Sequence, residues 1–304
     1  MDQRDRRLGM ALVASAGVSF GTLPLFATWL SQAGVGVWAQ VLVRLAVSVF
    51  LFFLALAVWG REHIKLATAR QLRFVMLNGL MVVSVLTAYV FSIALGTPPA
   101  KTILLMYLFP IYVVLLGPRL LGERITLRRG LGVALGVLGT VVMLQVWAIR
   151  DVGQVHVGDL FALASGVVYA GVMILGRRGS MREGIHPLAL NAWSFTFGLL
   201  WLLLAGGGAL LMGYGASTFM RVPGHITPRT LADFLGIATL GTAVPYGLMF
   251  AGLKRLEATT VSVLSLIEPI SVLVMSMLFL HQTPDIWQMV GGAVILAAGA
   301  LVVR

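Results

Sequence analysis

The amino-acid sequence predicts an all-α integral membrane protein of ten transmembrane helices, arranged as two inverted five-helix repeats with both termini in the cytoplasm. Three observations carry that expectation: long runs without a charged side chain, a Lys/Arg bias that alternates from loop to loop, and a weak ordered match of the second half of the chain to the first. Of the 304 residues, 59% are hydrophobic and 11% charged. A soluble domain carries about 25% charged residues, so the bilayer is the main solvent here. Runs free of Asp, Glu, Lys and Arg occupy Leu8–Val43, Phe74–Ala100, Gly130–Ile149, Gly184–Met220 and Phe234–Leu253. A span needs about 20 apolar residues, because a helix rises about 1.5 Å per residue and the hydrocarbon core is roughly 30 Å thick. The runs of 36 and 37 residues are too long for one span and hold most of two.

Glycines, prolines and charge clusters divide the chain into spans at 9–30, 37–59, 73–95, 98–118, 129–148, 157–176, 186–212, 231–251, 257–279 and 285–303. The first follows Met1-Asp2-Gln3-Arg4-Asp5-Arg6-Arg7 and far outlasts a signal-peptide core, so it reads as a retained helix. The fourth opens at Pro98-Pro99, the sixth ends at Arg177-Arg178 and the eighth at Lys254-Arg255. The hairpins are tight, and only 213–230, with Gly213, Gly215, Pro223, Gly224 and Pro228, forms a loop of any size.

Orientation follows from the cations, since short cytoplasmic loops hold an excess of Lys and Arg. Alternate segments hold Arg4, Arg6, Arg7; Arg61, Lys65, Arg70, Arg73; Arg119, Arg124, Arg128, Arg129; Arg177, Arg178, Arg182; Lys254, Arg255; and Arg304, which makes 17. The other side has 4, namely Lys101, Arg150, Arg221 and Arg229, and Arg44 alone falls inside a span. The bias accounts for the net charge of +11 without nucleic acid, and it places both ends inside. With no cysteine, thiol chemistry is excluded.

At an offset of 149, Gly9, Gly17, Val18 and Phe20 fall on Gly158, Gly166, Val167 and Tyr169. At 159, Pro110, Leu121, Glu123 and Gly132 fall on Pro269, Leu280, Gln282 and Gly291, and Tyr89 and Ala94 match Tyr246 and Ala251 at an intermediate offset. The order of the glycine and proline matches is the signal; it sets a first repeat at 1–148 and a second at 157–304. Five spans is an odd number, so the second copy crosses from the opposite side. That plan recurs in secondary transporters, where exchanging the conformations of the halves alternates access to a midplane site. A duplication with no transport role is the alternative.

Other classes lack their chemistry. There is no His-Glu-x-x-His, no Gly-x-Ser-Gly and no pair of intramembrane aspartates, which argues against an enzyme, and no nucleotide-binding Gly-x4-Gly-Lys-Ser/Thr for a pump. His156, His186, His225 and His281 are scattered at loop edges and His63 lies in a loop, so neither a metal nor another cofactor is expected.

Pro110, the Leu121-Gly122-Glu123-Arg124 turn, Gly132 and Gly139, with Arg44-Leu45 and Pro269, resemble the EamA type of the drug/metabolite transporter superfamily. The overall pattern is similar to YddG-type exporters of aromatic and other amino acids. The resemblance implies a central cavity built by spans 1, 3 and 4 and their counterparts 6, 8 and 9. One departure is that Leu280-His281-Gln282 stands where a second Leu-Gly-Glu would be, leaving Glu123 without a charged twin.

Candidate substrate-binding residues follow. Glu268 lies near the middle of span 9, where a carboxylate costs roughly 2.5–3.5 kcal/mol and must face a wet cavity or the bundle interior. It can meet a substrate ammonium or carry a proton; alternatively it is structural, bonded to Ser262, Ser265 or Ser271. Pro269 removes a backbone N–H and frees the Ser265 carbonyl. Tyr89 and Tyr246 occupy equivalent depths, Tyr169 and Phe20 fall on one another in the repeat, and such rings line pockets as readily as they fill cores. Lys101 stands on a stripe with Leu105 and Phe109, a vestibule charge or a headgroup-facing lysine. Arg44 is read as a structural tie, because the resemblance does not build the cavity mainly from span 2; Pro110, Pro269, Gly17 and Gly166 are read as structural or gating residues, the glycines letting backbones approach. Few ionisable groups at membrane depth suit a mostly apolar zwitterion. The expected function is export of aromatic or neutral amino acids from the cytoplasm across a bacterial inner membrane, by a protein embedded in lipid and working as a monomer. Another drug or metabolite class, or a non-transport protein reusing the fold, is the alternative.

Overall fold

A computed structural model describes residues 3–149, 152–211, 221, 225–281 and 283–303. Arg150, Gln282 and Arg304, with Gly213, Gly215, Pro223 and Gly224 of the long loop, lie outside the described residues. Among the described residues all regular structure is helical, and ten stretches are long and apolar enough to cross a membrane. The protein is therefore a multi-pass membrane protein.

Six spans are single helices: span 2 is α3 (Val37–Trp59), span 3 is α4 (Ala69–Ala94) and span 5 is α7 (Leu127–Met143), while span 6 is α8 (Val157–Met181), span 7 is α9 (Pro187–Leu211) and span 10 is α14 (Ile286–Val303). Four are interrupted. Span 1 divides into α1 (Gln3–Phe20) and α2 (Leu23–Gln32), and span 4 into α5 (Pro99–Met106) and α6 (Phe109–Leu121). Span 8 runs from α10 (Pro228–Ala238) through a π-helical turn at Thr239–Ala243 into α11 (Val244–Arg255), and span 9 divides into α12 (Ala258–Ser265) and α13 (Ile267–Leu280).

Local chemistry explains where the helices start. The side chains of Thr68, Thr126 and Thr227 accept from the backbone N–H three residues on, opening α4, α7 and α10. Asp285 does the same for α14, accepting from Trp287 N at 2.7 Å and Gln288 N at 3.0 Å. Each bond satisfies a donor that the first helical turn leaves without a partner.

The repeat is visible in the interruptions. α5 and α12 are both 8 residues long and begin at Pro99 and Ala258, an offset of 159. Pro110 and Pro269 follow the two breaks and cannot donate to the carbonyls of Met106 and Ser265, so neither span continues as one ladder. Both spans then end on a left-handed residue, Gly122 at φ 75° and His281 at φ 54°. The halves are not copies throughout: span 6 runs unbroken where span 1 divides, and span 3 lacks the π turn of span 8.

Candidate substrate-binding site

The four interruptions gather in one region. Ser19, at the end of α1, donates to the carbonyl of Leu240 in the π turn at 2.5 Å, tying the break of span 1 to that of span 8. A Cβ placed on Gly17 would lie 3.2 Å from Ile267 Cβ and 3.3 Å from Glu268 N, a tight fit, so glycine lets α1 sit close against the break of span 9. Gly166 performs the same service in the other repeat: its Cβ would lie 2.9 Å from the Met106 carbonyl oxygen and 3.1 Å from that of Leu105, at the break of span 4. Close approach at these two positions brings the broken ladders into the bundle interior, where unpaired carbonyls can face a cavity rather than lipid.

Glu268 is the second residue of α13 and half-buried. The hydroxyl of Tyr107, the residue on which α5 ends, lies within interaction range of its carboxylate, so the breaks of spans 4 and 9 face each other here. Arg44, Tyr169 and Tyr246 stand within Coulomb range of the carboxylate. No ion pair among the described residues includes it, although Lys or Arg partners hold Asp5, Glu123, Asp159, Glu183 and Glu257. Ser262, Ser265 and Ser271 donate instead to carbonyls of their own span, at 2.8, 2.9 and 3.1 Å. An ionised carboxylate only accepts, so hydroxyls spent on carbonyls cannot hold it. The structural alternative through those serines is not what the fold contains.

Aromatic rings cluster in the same region. Phe109 and Tyr169 pack edge to face at 4.7 Å, with Tyr107 at 6.4 Å from Phe109. Phe20 and Phe195 pack against Tyr246 at 5.2 and 5.0 Å, and the Tyr169 hydroxyl reaches Met249 Sδ at 3.9 Å. Tyr89, half-buried on span 3, borders Tyr107. Of the expected substrate contacts, Glu268, Tyr169, Tyr246 and Phe20 thus converge, and Tyr89 stands at the edge. Tyr107, Phe109 and Phe195 were missed; the first two flank a break that Pro110 announces, and the repeat sets Phe109 opposite Glu268.

Lys101 is engaged elsewhere. Its ammonium donates to Asp159 at 2.7 Å and to the Gln154 carbonyl at 2.6 Å, while Asp159 also accepts from Thr97 at 2.8 Å and from His156 N at 3.1 Å. This clamp fastens span 4 to span 6, and its cation is neutralised inside the protein rather than presented to a vestibule or to headgroups. Arg44 donates to Thr242 in the π turn at 2.9 Å, a contact from span 2 to span 8 with its side chain buried.

At the start of span 9 stands a polar latch. Glu123 accepts from Ala258 N at 2.8 Å, Thr259 N at 3.3 Å and Thr259 Oγ1 at 3.2 Å, capping the N-terminus of α12. Arg177 approaches Glu123 at 3.5 Å and donates to the Leu253 carbonyl at 2.8 Å, and Arg129 pairs with Glu257. A carboxylate at a helix N-terminus gains from both the free N–H groups and the helix dipole.

Interrupted helices around a carboxylate, in two five-span halves, define a membrane transporter rather than an enzyme. The EamA-like transporter family model matches residues 7–145 and again 156–304, and the chain belongs to that family. It is 28% identical over 294 residues to an uncharacterised transporter of Archaeoglobus fulgidus, covering 97% of this chain and 96% of that one. It is 25% identical over 211 residues to a probable amino-acid metabolite efflux pump of Salmonella typhimurium, covering 68% of each. A solved crystal structure shares the fold with a TM-score of 0.77 at 17% identity, over 96% of this chain and 95% of that one.

Proposed function

We propose that this transporter exports a small amphiphilic metabolite, most simply an amino acid with an aromatic or neutral side chain, from the cytoplasm across a bacterial inner membrane. The observation that carries the reading is the convergence of the helix breaks on Glu268, a carboxylate that forms no ion pair among the described residues, has Arg44 only within Coulomb range, and stands among Tyr107, Tyr169 and Tyr246. A substrate ammonium supplies the missing positive charge, and the rings accept its apolar part. A carbonyl freed at each break offers further hydrogen bonds. The name carried by the Salmonella relative, an amino-acid metabolite efflux pump, supports the same substrate class. Alternating access would open the latch at Glu123 while the breaks act as hinges. The 17-to-4 cation bias supports placing Glu123 and both termini in the cytoplasm.

Counterflow into liposomes with phenylalanine, threonine, glucose and a triose phosphate tests the substrate class. Exchange of phenylalanine, threonine or both is the expected result. Exchange of the triose phosphate alone would overturn the reading, because one unpaired carboxylate repels a phosphate.

A further inference from the structure

A groove of about 640 Å³ opens on the side of the bundle, away from Glu268. Span 2 forms one wall, with Phe52, Ala55 and Trp59; span 8 forms the other, with Ala243, Gly247 and Ala251, and the start of span 7 closes the end. Small residues on both walls explain the void: a Cβ added to Gly247 would touch only Phe52, at 3.6 Å. The groove runs along span 8 from Thr239 to Lys254. At about 1.5 Å per residue that is roughly 22 Å, the depth of one leaflet's hydrocarbon with its headgroup layer.

The two ends differ in chemistry. Near the π turn the lining is apolar, and at the other end stand Lys254, Arg255 and His186 beside Trp59, which is 78% exposed. Arg255 is held by Asp5 at 3.3 Å and by the Ala251 carbonyl at 3.0 Å, whereas Lys254 is exposed and, among the described residues, forms no ion pair or hydrogen bond. An exposed indole at such a level suits the membrane interface.

We infer that this groove is a binding site for one anionic phospholipid, its acyl chain between spans 2 and 8 and its headgroup phosphate on Lys254. An apolar slot within a bilayer excludes water and fills with a lipid tail, and an unpaired lysine at headgroup height selects a negative head. Span 2 belongs to the first repeat and spans 7 and 8 to the second, so the lipid bridges the two halves. The site is independent of the transported substrate.

Native mass spectrometry of the detergent-purified full chain tests it, with phosphatidylglycerol and phosphatidylcholine of identical acyl chains. One phosphatidylglycerol is expected to be retained in preference to phosphatidylcholine. Lys254→Gln should weaken retention about fivefold, the effect of one basic side chain near a lipid surface. Ala251→Phe, which fills the slot and keeps the lysine, should abolish it, and free glycerol phosphate should not bind. Equal retention of the two lipids by the wild-type chain would overturn the inference without any variant. A phosphatidylglycerol preference that survives both substitutions would overturn it too, since the lipid would then sit elsewhere.

Discussion

Glu268 was legible in the sequence as an isolated carboxylate at membrane depth, but its partner was not. Tyr107 looks like any interfacial tyrosine until the backbone break at Pro110 turns it towards span 9, and no periodicity reports that turn. Lys101 shows the opposite failure: its stripe suggested a vestibule, yet Asp159, distant in sequence, takes its charge. We expect Glu268→Gln to raise the half-saturation concentration for substrate and to slow exchange at every pH, since the amide no longer attracts an ammonium. Loss of pH-driven accumulation with exchange intact would instead make Glu268 a proton carrier. His186 gives a separate expectation. Its ring stacks on His63 at 4.4 Å, and burial, with the neighbouring His63 and Lys254, holds its pKa below the ordinary 6.5, against a smaller opposing pull from Glu62. The unfolded chain therefore takes up this proton first as pH falls, so the contribution to stability is complete above pH 6.5 and is lost below it. Melting in detergent should drop as pH falls below 6.5, and His186→Gln should flatten that slope. An unchanged slope would remove His186 from the pH response.

At the level of elements, the ten spans were visible because charge and hydropathy mark them, while the interruptions were only half visible. A proline follows every interruption, but only Pro110 and Pro269 read as marks in the sequence; Pro24 after the break of span 1 and Pro245 after the π turn at Thr239–Ala243 look like ordinary first-turn prolines until contacts such as Ser19 with Leu240 join those two breaks. Gly17 and Gly166 carry the packing against the breaks. We expect Gly166→Leu to destabilise the protein by about 1–3 kcal/mol, the usual cost of overpacking, and to slow exchange. Wild-type melting would mean that span 6 can move away from Met106 at no cost. The latch belongs to this scale as well. In this cysteine-free chain Thr260→Cys supplies a lone thiol behind the latch, and adding Glu123→Gln should increase its labelling by an impermeant maleimide from the Glu123 side. Equal labelling with and without Glu123 would show that α12 is held by something else.

For the whole molecule, the broken spans 4 and 9, one from each repeat, face each other, and the substrate site proposed above lies where they meet. Reporters fused after Arg304 and at Gly215 should report opposite compartments if both termini are cytoplasmic, as the cation bias requires. The repeat order of glycines and prolines predicted this architecture, but not its asymmetry, because the helices of two apolar repeats diverge through packing contacts that leave little trace in composition. The central claim is that the site at the two breaks is reached by water and substrate from both sides in turn. Ser265, buried at the end of α12 beside Glu268, allows the most direct measurement. Ser265→Cys nearly conserves size and places the one thiol of the chain at the site, where a small maleimide can be applied to either face of oriented proteoliposomes. We expect labelling from both faces and protection from both by phenylalanine or threonine. A thiol labelled from one face only, or unprotected by either amino acid, would contradict the account.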